Sequence, residues 1–314
     1  MFKRFLLFVS FVVISYGASS QFQFWNDLVA WDGHTNYVSY FIMSPAYFGP
    51  NALPVPELKN GLVSEQSYFQ ILGQQHVGKG DNTTNLFGKF YASFFDKIGV
   101  EVFMVPLEYY KLSPATRDER MSRTLDAEGL TVGDVYFGTT IQLLKDSERW
   151  SDMTVSMYCK TTSGGQINDL RYTDTPGYYF DLSFGKDFKS APISLDQLRW
   201  YTSFGFYNWQ TNMPRYMQND AVLLGAGLQM NKNTLQLDAQ FTGYIGYIGG
   251  KDFVQVPSSK LKQEYDGDIP VVFRLNAMIK EEKLNWKLMY QAGLHDFTYQ
   301  TLSLGIQKNI NYPE

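Results

Sequence analysis

The sequence predicts an all-β protein: an antiparallel up-and-down transmembrane β-barrel of about 12 strands, preceded by an irregular N-terminal segment. Three observations predict it. Apolar and polar residues alternate with period two in segment after segment. Short and long connections alternate between those segments. A leader-like N-terminus is followed by no apolar run long enough for a membrane helix, which needs roughly 20 residues.

The chain starts with the basic "MFKR" and continues in the apolar "FLLFVSFVVISYG", and Ala18, Ser19 and Ser20 then offer a cleavage site. This is the pattern of a secretory signal, expected over residues 1–20, with Gln21 as the mature N-terminus. The aromatic content of 17% is high and the charged content of 18% is low, as suits an exported β-protein. A net charge of -4 gives no reason to expect nucleic acid as a partner. The single cysteine, Cys159, cannot form an internal disulfide, so a core or a closed hydrogen-bond ring must stabilise the chain.

Taken in order, the first strand is expected around Tyr68 to His76 and the second from Asn85 to Phe95. A third, Gly99 to Tyr110, alternates poorly and carries Pro106, which removes a ladder donor. In the fourth, Val135, Phe137, Thr139, Ile141 and Leu143 oppose Asp134, Tyr136, Thr140 and Gln142. The fifth sets Met153, Val155, Met157 and Cys159 against Asp152, Thr154, Ser156, Tyr158 and Lys160. A sixth, Tyr178 to Asp187, and a seventh, Leu198 to Tyr207, alternate equally well. An eighth, Ala221 to Met230, returns through "NKN" as the ninth, "TLQLDAQFTGYIG". The tenth (Val271 to Lys280), eleventh (Leu284 to Leu294) and twelfth (Thr298 to Ile310) complete an even number of strands, as bacterial single-chain barrels require.

The connections "DKI", "KDSER", "KSAPISLD", "NKN" and "EE" are short, whereas "KLSPATRDERMSRTLDAEG", "TTSGGQINDLRYTDTPG" and "GGKDFVQVPSSKLKQEYDGD" are long. Short periplasmic turns and long extracellular loops alternate in this way, with both termini on the periplasmic side. In a soluble sandwich the apolar strand faces would pack on a core. In the barrel reading they meet lipid. Trp150, Trp209 and Trp286 then fall near strand ends, where interfacial girdles belong, and Tyr312 is in phase with Ile306 and Ile310.

Three parts are expected: a signal peptide at 1–20, a Pro-rich segment at 21–64 and the barrel at 65–314. Pro45, Pro50, Pro54 and Pro56 exclude helix interiors and central strands from the second part. Two readings stay open for it, a periplasmic strap and a plug in the lumen anchored by Tyr47, Phe48 and Leu53.

No metal-binding, phosphate-cradling or nucleophile motif is present, and His34, His76 and His295 read as surface or loop residues. Neither a catalytic residue, a metal nor a cofactor is expected. The inward charges carry more information. Asp134, Asp152, Asp181 and Asp187 form an acidic wall, and Arg274, Lys280 and Lys287 form a basic wall that a ring of this size places opposite. The walls either set up a transverse field across an aqueous lumen or pair across a narrow, filled one. Tyr136, Tyr158, Tyr179, Tyr201 and Tyr207 would line the same space.

From Val132 to Phe188, a Gly-Asp pair opens a strand, a hairpin leads to a Lys-x-x-Ser-Gly loop, and a Gly-bounded strand returns. Gly133, Asp134, Lys160, Ser163, Gly164 and Gly177 carry this pattern. It resembles the outer-membrane transporter family grouped under the meta-pathway of phenol degradation. "TTSG" stands where that family has Pro-Thr-Gly. The aromatic-rich strands also look like barrels of the Bacteroidetes lineage. The resemblance implies a barrel that passes small molecules. The expected function is therefore a porin-like channel in the outer membrane of a Gram-negative bacterium, with membrane lipid and a small solute as partners. A non-conducting barrel with envelope-protein partners and an outer-membrane hydrolase are the alternatives.

Overall fold

The computed structural model describes residues 22–41, 44–189, 194–209, 219–246, 269–282 and 284–310. The expected signal peptide, Tyr312 and most of the longest loop lie outside these residues, as does the side chain of Trp209.

The strands run β1 Ser67–Gly78, β2 Asp81–Phe94, β3 Ile98–Leu112, β4 Glu128–Thr131, β5 Val135–Leu144, β6 Asp152–Lys160 and β7 Gly177–Asp187. They continue as β8 Gln197–Trp209, β9 Asn219–Lys232, β10 Leu235–Ile245, β11 Val271–Ile279, β12 Asn285–His295 and β13 Gln300–Ile310. Each of 12 pairs antiparallel with its chain neighbour, and β1 closes on β13 from Ser67 opposite Ile310 to Val77 opposite Gln300. The remaining strand, β4, is short and extends the β3 wall at the long-loop end, where Glu108 faces Thr131. Closure leaves no edge, so every stave has partners for its backbone groups, which the hydrocarbon core of a bilayer demands.

The alternation sorts as expected for a barrel in lipid. In β10, Leu235, Phe241 and Ile245 are exposed outward, while Asp238, Gln240, Thr242 and Tyr244 are buried inward. The same outward belt continues through Phe137, Phe180, Phe204 and Leu304. Trp150 and Trp286 are both exposed at the short-turn end. The poor alternation of β3 has a local cause. The register with β2 shifts between Leu86 and Gly88 opposite Met104 to Leu107, beside Pro106. Glu101 and Val105 face inward before this bulge, and Glu108, Tyr110 and Leu112 face inward after it. An extra residue in one strand reverses the phase of everything beyond it.

The segment ahead of β1 fills the interior. Helix α1, Gln23–Val29, lies at the long-loop end, where Trp25 Nε1 donates to the Met121 carbonyl at 2.8 Å. From there the chain descends to the short-turn end and enters β1. Residue 22 and Ser67 thus lie at opposite ends of the barrel, contrary to the expectation that both termini are periplasmic. That expectation holds for the first and last strands, because a segment long enough to cross the lumen adds one more passage.

Candidate functional site

The site is the lumen itself, and the N-terminal segment is its main occupant. At the long-loop end Trp25, Tyr40, Phe41, Phe48 and Leu53 are buried together with Leu170, Tyr207, Tyr244 and Tyr299. Tyr47, half-buried, packs against this cluster. The three apolar anchors proposed from sequence therefore all lie inside the barrel. Arg123, from the loop after β3, is ringed by Phe22 and Tyr37 at 4.2 and 4.1 Å from the ring centroids, with Trp25 at 5.2 Å. Such cation–π contacts tie the start of the segment to that loop.

Below this cluster, polar side chains of many staves hold the passing backbone. Tyr299 Oη donates to the Phe48 carbonyl at 3.0 Å, and Asn51 Nδ2 donates to Glu108 Oε2 at 2.8 Å. Arg274 donates to the carbonyls of Val55 and Pro56, the latter at 2.9 Å, and to Gln291 Oε1 at 2.6 Å. The Leu58 amide donates to Gln240 Oε1 at 3.0 Å, and Arg199 Nε donates to the Asn60 carbonyl at 2.9 Å. Gln142 accepts from the Val63 amide and donates to the Gly61 carbonyl, both at 2.8 Å. Proline explains why this works: four prolines suppress helix and leave carbonyls available to inward donors. Gly61 has φ of +82°, and a Cβ there would lie 2.7 Å from the Gly185 amide nitrogen, so the closest approach to the wall requires glycine.

The inward charges are arranged otherwise than as two opposed walls. Asp134 pairs with Lys160 at 2.8 Å on the neighbouring stave. Asp152 and Asp187 both pair with Arg199, at 2.7 and 3.0 Å. Asp181 accepts from Ser183 Oγ at 2.7 Å. On the other side, Arg274 is engaged by the segment, Lys287 is half-buried, and Lys280 is exposed just past the end of β11. Sequence reasoning set the two walls opposite each other, across either an aqueous lumen or a narrow, filled one. In the barrel, local partners and the segment intervene, because a charge in a low-dielectric lumen takes the nearest counter-charge.

Two charge clusters were missed. Arg171, folded in from the loop after β6, bonds Asp81 at 2.8 Å and Glu108 at 2.9 Å, and Arg120 reaches Asp81 at 2.7 Å. Nearer the middle, Glu101 pairs with Lys59 at 3.2 Å and with Lys89 at 3.6 Å. Strict alternation puts Glu101 and Glu108, seven residues apart, on opposite faces, and only the bulge brings both inside. His76, expected at the surface, also points inward. Its Nε2 donates to Asn85 Oδ1 at 2.6 Å and its Nδ1 accepts from the Thr301 hydroxyl at 2.7 Å.

All five tyrosines proposed for the lumen are inward and buried. Tyr158 and Tyr179 stack at 4.5 Å, Phe103 and Tyr136 stack at 4.8 Å, and Tyr207 meets both Tyr179 and Tyr244 edge to face. Tyr201 donates to Asp238 Oδ2 at 2.5 Å. Between this aromatic ladder, the segment and the β1–β2 wall, a cavity of about 160 Å³ remains. Among the described residues, no group of three His, Cys, Asp or Glu side chains could hold a metal ion.

The pattern at Gly133 to Gly177 forms one brace. Asp134 Oδ1 accepts from the Gly164 amide at 2.7 Å, Ser163 Oγ accepts from the Val135 amide at 3.0 Å, and Lys160 also donates to the Thr175 carbonyl at 2.8 Å. These residues fix the loop between β6 and β7.

No family model matches the chain, and no curated protein does. Solved structures do. An outer-membrane channel from Pseudomonas putida F1 is 11% identical, with 82% of this chain and all of that one covered, at a TM-score of 0.52. A NanC porin is 9% identical, with 77% of this chain and all of that one covered, at 0.46. The translocator domain of the autotransporter NalP from Neisseria meningitidis is 11% identical, with 80% of this chain and 90% of that one covered, at 0.40. The fold is that of a Gram-negative outer-membrane β-barrel.

Proposed function

We propose that the protein is an outer-membrane channel for the passive passage of small solutes, held closed by residues 21–64 acting as a plug. The observation that carries this reading is the way the segment is seated. It is held by separate hydrogen bonds to Arg274, Gln240 and Gln142 on three different staves and to Tyr299 just ahead of β13, and it leaves a lined cavity beside it. A seat built from individual polar contacts can be released without unfolding the wall, whereas a barrel filled by its own inward side chains cannot. The likeness to a solved outer-membrane channel and the short resemblance to the phenol-degradation transporters support the same class. No reaction is part of the proposal: of the clustered acids Asp134, Asp152 and Asp181 that a hydrolase would draw on, the first two are closed in ion pairs and the third accepts from Ser183.

A non-conducting barrel that docks an envelope partner is the second reading. The buried aromatic cluster around Trp25, Tyr40 and Phe48 at the long-loop end favours it. Swelling of liposomes loaded with the refolded protein separates the two. The channel reading expects slow swelling with residues 21–314 and fast, size-limited swelling with residues 65–314. A folded barrel that gives no swelling in either form supports the second reading.

A further inference from the structure

The cavity beside the segment has two features that the fold leaves unexplained. Tyr136 is 6% exposed and lines the cavity, and its hydroxyl has no hydrogen-bond partner among the described residues. A buried hydroxyl without a partner costs about 1–3 kcal/mol, so its presence marks a place where an acceptor is expected. Lys89 lines the same cavity. Its ion pair with Glu101 is 3.6 Å long, and its ammonium lies 5.3 Å from the centroid of Phe103.

Lys89 and Tyr136 flank Phe103 in register, Lys89 opposite it on β2 and Tyr136 opposite it on β5. The Phe103 and Tyr136 rings are parallel and 4.8 Å apart. A cation, an aromatic face and a free hydroxyl therefore stand in one row. Leu72, Phe87 and Val105 add apolar surface around them. Among the charged groups that line the cavity, Asp134 is neutralised by Lys160. Lys59, Lys89 and Arg274 then stand against Glu57 and Glu101, leaving one positive charge in excess.

We propose that the row Lys89, Phe103, Tyr136 is a solute-binding site for a small carboxylate carrying a second acceptor, an oxo acid with a short apolar body. The carboxylate pairs with the Lys89 ammonium, the carbon chain lies along Phe103, and the oxo group accepts from the Tyr136 hydroxyl. The proposal rests on the channel reading in naming the class of solute, but binding can be measured without conduction.

The test is calorimetric titration of the full mature chain, refolded in detergent, with 5-oxohexanoate, hexanoate and hexylammonium. Saturable binding is expected for both acids and none for the ammonium. The oxo acid should bind roughly five- to tenfold more tightly, the worth of one hydrogen bond. Tyr136→Phe should erase the difference between the acids while leaving hexanoate binding intact. Lys89→Met should abolish both, and Lys89→Arg, which keeps the charge and guards against misfolding, should retain them. Absence of saturable binding, equal binding of hexylammonium, or undiminished discrimination by Tyr136→Phe would overturn the site. Binding without solute flux would leave the site standing and remove the channel reading, and flux without binding would do the reverse.

Discussion

Arg274 is the most informative residue to remove, because one guanidinium holds two consecutive segment carbonyls, those of Val55 and Pro56. Arg274→Met keeps the length of the side chain and deletes its donors. Each buried carbonyl left without a donor costs about 1–3 kcal/mol, so the gross loss is about 2–6 kcal/mol. Pro56 lines the cavity, where water can replace one donor, and this lowers the expected loss to about 1–3 kcal/mol. At tenfold per 1.4 kcal/mol, the ratio of released to seated segment should rise roughly 5- to 150-fold. The assay is limited proteolysis of residues 44–64 in the refolded protein, with heat-modifiable gel mobility and strand circular dichroism to show that the barrel is intact. Arg274→Lys, which keeps one charge but not the fork, should fall between the two. Protection equal to wild type in an intact Arg274→Met barrel would refute the idea that these hydrogen bonds hold the segment.

Asp134→Asn leaves the buried Lys160 ammonium without its counter-charge and should destabilise the barrel by about 3–5 kcal/mol in urea titration. The double variant Asp134→Asn/Lys160→Met should recover most of that loss, and a failure to recover would mean that the brace acts through the Asp134 hydrogen bonds to the loop backbone. Gly61→Ala introduces a Cβ at positive φ within 2.7 Å of the Gly185 nitrogen. It should loosen the segment by about 1–3 kcal/mol, seen as faster proteolysis at an unchanged barrel unfolding midpoint. In the barrel lacking the segment, Lys287→Glu should shift the reversal potential in a salt gradient toward cations, while Lys280→Glu, exposed at the strand end, should leave it in place. Equal shifts from the two would contradict the placement of Lys280.

The barrel was legible in the sequence because each stave carries its own signal. "TLQLDAQFTGYIG" alternates without a break, and a closed ring with one face in lipid gives period two no competitor. The lumen was less legible. Asp134 and Lys160 lie on neighbouring strands, so their pairing could be read, yet the partners of Arg274 and Lys59 are set by a segment with no periodicity. Glu101 and Glu108 were hidden by the bulge at Pro106, since alternation carries no memory across an inserted residue. Arg171 and Arg120 belong to loops that fold inward, and their partner Asp81 opens β2. The tyrosines were found because they sit in regular strands. Their stacking across staves follows from register, which a single sequence specifies only after the ring is closed.

Single-channel recording in a planar bilayer tests the central claim most directly, comparing residues 21–314 with residues 65–314. If residues 21–64 close the lumen, the full chain should be silent or open only briefly, and the shortened barrel should conduct steadily. Equal steady conductance from both would contradict the plug, and silence from a folded, shortened barrel would contradict the channel.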